Sequence, residues 1–144
     1  MICDSSINDG GWGAACYNAM VAAAEKKGWQ TEVTDSISQD AYYDSIVAYC
    51  TLGYDMIYAI ATPAALSAYS AANKSDIPVI FCAVSDPVAA GLTESLEAGY
   101  NNCNGTSDIL DFSAQVDLIQ SIQPDVKKIG VLYTTTEANS MSQL

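Results

Sequence analysis

The sequence predicts an α/β domain, a flavodoxin-like three-layer αβα sandwich with a mostly parallel sheet of about five strands. Two observations lead to this fold class. Short apolar runs alternate with amphipathic stretches at a spacing of roughly 25 residues, which is the pattern of repeated βα units. The chain has 144 residues and half of them are hydrophobic, which suits one compact domain with a substantial core.

The first helix has clear signals at both ends. Small residues recur three and four positions apart from Trp12 onward, which predicts a helix over residues 12–27, and Gly28 provides the C-terminal stop. Residues 1–3 predict the tail of a first strand. Residues 30–34 predict a short second strand after the helix.

The next βα unit begins at a polar residue and ends at a glycine. Ser38 is predicted to cap a second helix, which ends at Gly53. A continuous apolar run over residues 56–60 predicts a strand that is buried on both faces. Helical spacing predicts that the second helix buries Tyr43, Ile46, Val47 and Cys50.

Proline marks the start of the third helix. Thr62 is predicted to cap this helix, and Pro63 follows at the first helical position, where its missing N–H group costs nothing. The helix is predicted to run to about Asn73. Residues 78–84 then predict a fourth strand.

The C-terminal third combines turns with one further helix. Asp86 and a following proline predict a short turn that Gly91 closes. Residues 99–107 predict a loop that contains a short strand and holds the most exposed thiol, Cys103. Residues 111–123 predict a helix with an inward face of Phe112, Val116, Ile119 and Ile122.

Composition argues against several classes of partner and of catalytic chemistry. Seventeen acidic residues oppose five basic ones, for a formal net charge of −12, and this charge repels phosphate backbones and anionic lipid. We therefore expect no nucleic acid and no peripheral membrane partner. The absence of histidine removes Ser-His-Asp and Cys-His relays and His-ligated zinc sites. The prediction is no enzyme, no catalytic residue, no cofactor and no metal.

Three polar segments are predicted at the carboxyl edge of the sheet, where open parallel sheets bind ligands. In residues 61–65, the hydroxyl of Thr62 and the amides of Ala64 and Ala65 suit a carboxylate. Ser85 and Asp86 follow the next strand, and suit an amine or hydroxyl. The loop after the first strand offers polar groups and one flat ring: Asp4, Asn8, Asp9 and Trp12.

Each of these features also has a structural interpretation. Thr62 and Asp86 are favoured capping residues in any protein. Trp12 is an equally natural core anchor, since Trp is usually well buried. The convergence of three polar loops on one edge favours the ligand site over these alternatives.

Several motifs of residues 54–144 are typical of a known family. They are residues 54–65 (Tyr-Asp-Met-Ile-Tyr-Ala-Ile-Ala-Thr-Pro-Ala-Ala) and 77–92, followed by 105–108, 128–133 and 137–140. In these motifs the chain resembles the ABC-transporter substrate-binding proteins of the tryptophan/tyrosine-binding type. Residues 8–13 (Asn-Asp-Gly-Gly-Trp-Gly) are similar instead to the basic-membrane-protein lipoproteins, which resemble purine-nucleoside receptors. In that family an aromatic residue after the first strand stacks on the base of the bound nucleoside. The resemblance gives this role to Trp12.

The resemblance implies a lobe that binds a small-molecule solute, either an aromatic amino acid or a nucleoside. It also implies an extracytoplasmic location and an ABC permease as partner of the full receptor. The given sequence itself shows no signal-peptide pattern at its start. The alternatives are a non-catalytic structural or signalling domain and an engineered chimera, neither of which binds a small molecule.

Receptors of this type have two lobes and about twice this length. Residues 1–126 match the first lobe, and residues 127–144 match the strand and helix start of a second lobe, with a helix turn beginning at Glu137. The apolar strand over residues 128–133 is predicted to fold back onto its own sheet, and pairing with a second copy is the alternative. A homodimer is expected in either case, because the face that normally meets the second lobe is otherwise open to water.

Overall fold

A parallel sheet forms the centre of the computed structural model, which describes residues 1–73, 75–135 and 140. Its three strands are β1 (Ile57–Ile60), β2 (Val79–Val84) and β3 (Cys103–Ser107). They lie in the order β1-β2-β3, and both pairs are parallel. The apolar runs predicted at residues 56–60 and 78–84 are thus confirmed as strands, and the short strand predicted within residues 99–107 is β3.

Two further segments extend the sheet beyond β1 through single bridges. Ile2 forms parallel bridges to Ala59 on one side and to Thr34 on the other. Counted along the chain, the five segments therefore lie in the order second, first, third, fourth, fifth, which is the flavodoxin-like order. The predicted strand over residues 30–34 is wrong except at Thr34, because the neighbouring segment provides a pairing partner only near Ile2.

The described residues form four α-helices: α1 (Trp12–Lys27), α2 (Tyr42–Leu52), α3 (Thr62–Ala72) and α4 (Phe112–Ile122). A 3₁₀ turn, Gln39–Ala41, precedes α2. None of the described helices is long and apolar enough to cross a bilayer. The bounds predicted for α1 are confirmed, and Gly28 ends it in the left-handed conformation, with φ of 69°.

Two predicted caps are wrong in detail. Ser38 precedes the 3₁₀ turn, but its side chain makes no capping hydrogen bond. Ala61 is the N-cap of α3, so Thr62 becomes the first helical residue and its hydroxyl is not used as a cap. The hydroxyl of Thr62 is thereby left for another partner.

The main core lies between the sheet and the pair α2–α3. α3 presents an alanine face to β1 and β2, and Ala65, Ala68 and Ala72 are completely buried there. α2 packs on α3 through Tyr42 and Ile46. The predicted inward face is confirmed at Ile46 and Cys50, which belong to or pack against the core, and is wrong at Tyr43 and Val47, which are exposed. Tyr42 and Tyr43 both stand at helical spacing from Ile46, so periodicity alone did not distinguish them.

α1 covers the opposite face of the sheet. Cys16, Tyr17 and Met20 of this helix pack against a small cluster formed by Met1, Cys3 and Ile60. The only residues that α1 buries are Gly13 and Ala24. Cys103 lies in the main core and is buried, so its prediction as the most exposed thiol is wrong.

The C-terminal segments follow the prediction only in part: the helix predicted over residues 111–123 is confirmed as α4, but its packing and the strand after it are not. Asp111 caps α4 by accepting a hydrogen bond from the Ala114 amide at 3.0 Å, but α4 buries no residue and its predicted inward face is exposed. Residues 128–133 form no strand, so the predicted return to the sheet is wrong. Without that strand, α4 does not form a crossover connection between two strands of the sheet. The helix turn predicted at Glu137 lies outside the described residues.

Gly105 provides a test of packing between β2 and β3. A Cβ atom at this position would overlap the carbonyl oxygen and the ring of Phe81. We expect Gly105→Ala to lower the free energy of unfolding by about 1–3 kcal/mol, the usual cost of overpacking. Urea unfolding at neutral pH measures it. Gly130→Ala is the matched control, since nothing lies within 4 Å of a Cβ there, and equal losses in the two variants would contradict this packing.

Candidate functional site

A cavity of about 240 Å³ opens at the carboxyl edge of the sheet, between the segment of Ile2 and β1. The order of the segments reverses at this point, because the second segment lies on one side of the first and β1 lies on the other. Ligands of open α/β sheets bind in the crevice that such a reversal creates. The lining residues are Cys3, Asp4, Trp12, Gln39, Tyr42, Ile60, Ala61, Thr62, Pro63, Ala64, Ala83, Ser85 and Asp108.

The floor of the cavity contains two strained alanines. Ala61 follows β1 with φ of 69°, and Ala83 lies near the end of β2 with φ of 52°. A side chain with a Cβ atom seldom adopts positive φ, and such strain concentrates at functional sites. The Ala61 amide donates to the carbonyl of Cys82 at 3.0 Å, which holds the bend against the neighbouring strand.

The N-terminus of α3 forms one wall. The hydroxyl of Thr62 is buried and has no hydrogen-bond partner in the described structure. A buried hydroxyl without a partner is costly, so a polar group in the cavity would relieve that cost. The Thr62 and Ala64 amides belong to the first helical turn and lack intrahelical acceptors, whereas the Ala65 amide donates to Ala61 at 3.1 Å. This wall suits an anion such as a carboxylate.

The lining also contains the indole of Trp12, the phenol of Tyr42 and the carboxylate of Asp4. Trp12 is 56% exposed, so it is not the core anchor of the structural interpretation. Tyr42 is buried, and burial raises the pKa of its hydroxyl well above the usual range, as does the nearby charge of Asp4. Tyr42 therefore remains protonated at neutral pH and can donate a hydrogen bond.

The structure gathers five of the nine predicted site residues around the cavity. They are Asp4, Trp12, Thr62, Ala64 and Ser85. The other four do not line it: Asn8, Asp9, Ala65 and Asp86.

Two of those four residues hold backbone turns. The Asp9 carboxylate accepts hydrogen bonds from the amides of Gly11, Gly13 and Ala14, at 2.7, 3.0 and 3.0 Å. These bonds lower the pKa of Asp9. Asp86 accepts from the Ala89 amide at 2.9 Å. Asp86 thus acts as the cap that the structural interpretation allowed, and Asp9 holds the turn before α1.

Sequence reasoning missed three polar residues of the cavity: Gln39, Tyr42 and Asp108. Asp108 directly follows β3, so the rule that placed the other loops at the carboxyl edge was sufficient to find it. Gln39 and Tyr42 left no such signal, because their approach depends on the 3₁₀ turn before α2. Within the described residues, no group of three or more Cys, Asp and Glu side chains is arranged to hold a metal.

Comparison with known proteins identifies the family. A family model described as ABC transporter substrate binding protein matches residues 26–144. The chain belongs to this family. A curated relative, the tyrosine-binding protein of Clostridioides difficile (strain R20291), is 50% identical over 90 residues, which are 62% of this chain and 26% of that protein. For the residues before 26, the resemblance to basic-membrane-protein lipoproteins stays a prediction.

Solved structures of substrate-binding proteins share the fold. An ABC domain in complex with L-Trp from Streptococcus pneumonia superposes with a TM-score of 0.82 at 30% identity, over 99% of this chain and 48% of that chain. The ligand-free, open structure of a substrate binding protein with adhesive properties from Clostridium difficile gives 0.65 at 34% identity, over 90% of this chain and 46% of that one. This chain of the substrate-binding family spans about half the length of these structures.

The pKa of Asp9 generates a prediction about acid stability. Because the folded-state pKa is depressed, the carboxylate stabilises α1 above the unfolded-state pKa of about 3.9, and this contribution is lost as pH falls through the folded-state pKa. We expect Asp9→Asn to unfold at lower urea concentration than wild type at pH 7, with the gap narrowing as pH falls below about 3.9. Circular dichroism measures both midpoints, and a gap that does not narrow on acidification would contradict the role of the charge.

Proposed function

We propose that this chain is a solute-binding lobe that holds an aromatic amino acid in the cavity between the segment of Ile2 and β1. One observation carries the proposal: the buried, unpartnered hydroxyl of Thr62 lies at the N-terminus of α3, in a cavity that Trp12 also lines. A helix N-terminus suits a carboxylate, and an exposed indole suits a flat apolar side chain. An aromatic amino acid combines these two groups.

Each group of the ligand then has a partner in the lining. Thr62 and the Ala64 amide hold the carboxylate, and Trp12 stacks on the ring. The carboxylates of Asp4 and Asp108 lie in the same lining and attract the ammonium group, with the hydroxyl of Ser85 as a further acceptor. Asp4 and Asp108 replace Asp86 in this role, since Asp86 bonds to its own turn.

The named relatives support this ligand class. One is called a tyrosine-binding protein, and one was solved in complex with L-Trp. The nucleoside alternative gains no support from these relatives, and neither does a structural or signalling domain. We further propose binding without catalysis, since no hydrogen bond in the described residues joins a thiol or hydroxyl of the lining to a carboxylate base, and the Cys3 thiol donates to the Ser5 carbonyl instead.

The wider setting of this site is also a proposal. The chain spans about half of the solved structures that it resembles. We infer that a second lobe closes over the cavity in the full receptor, which acts outside the cytoplasm and delivers its solute to an ABC permease. The 240 Å³ cavity is smaller than the roughly 300–1,000 Å³ usual for small-molecule sites, so the isolated lobe binds weakly.

Isothermal titration calorimetry with L-Trp and L-Tyr tests the proposal. We expect a dissociation constant from millimolar to high micromolar, or roughly 4–6 kcal/mol. Thr62→Val should weaken binding by about 1.5–3 kcal/mol, because it removes a hydrogen bond to a charged group. Thr62→Ser keeps the hydroxyl and serves as the control. The absence of heat with both amino acids at millimolar concentration would contradict the proposed ligand class.

Stacking on Trp12 is tested separately. Trp12→Ala should weaken binding of L-Trp by about 0.5–1.5 kcal/mol, the usual contribution of an aromatic pair. Trp29→Ala is the matched control, since Trp29 is also exposed but lies outside this cavity. If the two variants lose equal affinity, Trp12 does not stack on the ligand.

A further inference from the structure

The hydroxyl of Tyr42 lies at the solute cavity, although its ring belongs to the main core. The residue is 3% exposed, packs among the core residues where α2 meets α3, and also lines the cavity. Burial raises the pKa of the hydroxyl, and the charges of two other lining residues, Asp4 and Cys3, raise it further. The phenolic end of the side chain is therefore the part that reaches the cavity.

This hydroxyl has a proton to donate. The raised pKa keeps the phenol protonated at neutral pH. The backbone amide of Asp4 faces the phenol oxygen as a donor, whereas the Asp4 carboxylate acts on the hydroxyl through its charge and not through a hydrogen bond. Because a buried tyrosine hydroxyl usually has a partner, the proton is available to a ligand in the cavity.

Two helices begin at this cavity. Each of them follows a segment of the parallel sheet, so both N-termini lie at its carboxyl edge. Tyr42 is the first residue of α2, Thr62 is the first residue of α3, and both line the cavity. Both helix dipoles favour a negative group placed between these two ends. The hydroxyl of Tyr42 thus lies on the side of the cavity that favours a carboxylate.

The polar groups on this side are mainly donors. The amides of Thr62 and Ala64 can only donate, and Tyr42 donates because its oxygen already faces the Asp4 amide. A carboxylate presents two oxygens to these donors. A carboxamide replaces one oxygen with an NH₂ group, which would face donors and leave buried polar groups without partners, at a cost in binding.

We propose that Tyr42 is a specificity-determining residue, whose hydroxyl donates to the ligand carboxylate beside Thr62, so that the site selects free amino acids over their carboxamides. The inference rests on the proposed function and concerns the same cavity. The nearness of Tyr42 to Asp4 also places the carboxylate and ammonium subsites side by side. An α-amino acid matches this arrangement, because one carbon atom carries both of its charged groups.

NMR titration of the ¹⁵N-labelled chain with L-Trp and L-tryptophanamide tests the inference. Such titrations measure millimolar affinities and show whether each variant is folded, and at about pH 6 both ligands carry an ammonium group. We expect wild type to bind L-Trp about tenfold or more tightly than the carboxamide. Tyr42→Phe keeps the ring in the core, and it should bind L-Trp about tenfold more weakly than wild type, the effect of losing a hydrogen bond to a charged group. Its affinity for the carboxamide should stay within about twofold of wild type.

Tyr43→Phe is the matched control. It is the same substitution one position further along α2, at a side chain that is 46% exposed and outside the cavity lining, so it should bind both ligands like wild type. Equal affinity of wild type for L-Trp and its carboxamide would overturn the inference. So would a Tyr42→Phe variant that binds L-Trp like wild type, or that loses the same factor for both ligands. A wild-type chain that binds neither L-Trp nor L-Tyr would contradict the proposed function itself, and the inference with it.

Discussion

The two parallel bridges of Ile2 are the constraint on which the rest of the molecule depends. Ile2 is 1% exposed, and it joins the segment of Thr34 to β1. This position makes the first segment central in the sheet, so the order of segments reverses beside it. The proposed solute site lies just beyond its carboxyl end.

Stability and binding compete at the start of α3. The alanine face of this helix packs tightly on β1 and β2, and that packing holds Ala61 at positive φ and buries Thr62. A strained residue and an unpartnered hydroxyl both lower the stability of the empty lobe. A ligand carboxylate would recover part of this cost on binding, which is the arrangement expected of a site shaped before its ligand arrives.

The many carboxylates of this acidic chain have different roles according to their neighbours. Asp9, Asp86 and Asp111 accept hydrogen bonds from backbone amides at the starts of turns or helices. Asp4 and Asp108 line the solute cavity. The two groups are alike in sequence, since each follows a strand or precedes a helix. Only the direction of the side chain separates a cap from a ligand partner.

The sequence by itself determined the features that depend on near neighbours. Buried parallel strands read as continuous apolar runs, so residues 56–60 and 78–84 were recognisable as strands, and glycine ended α1 and α2 where left-handed backbone was required. Tertiary structure decided the rest. It buried Tyr42 of α2 and left the predicted Tyr43 and Val47 exposed, left α4 and residues 128–133 without a sheet, and brought Gln39 and Tyr42 to the cavity. Each of these outcomes depends on contacts between residues far apart in the chain, which local spacing does not encode.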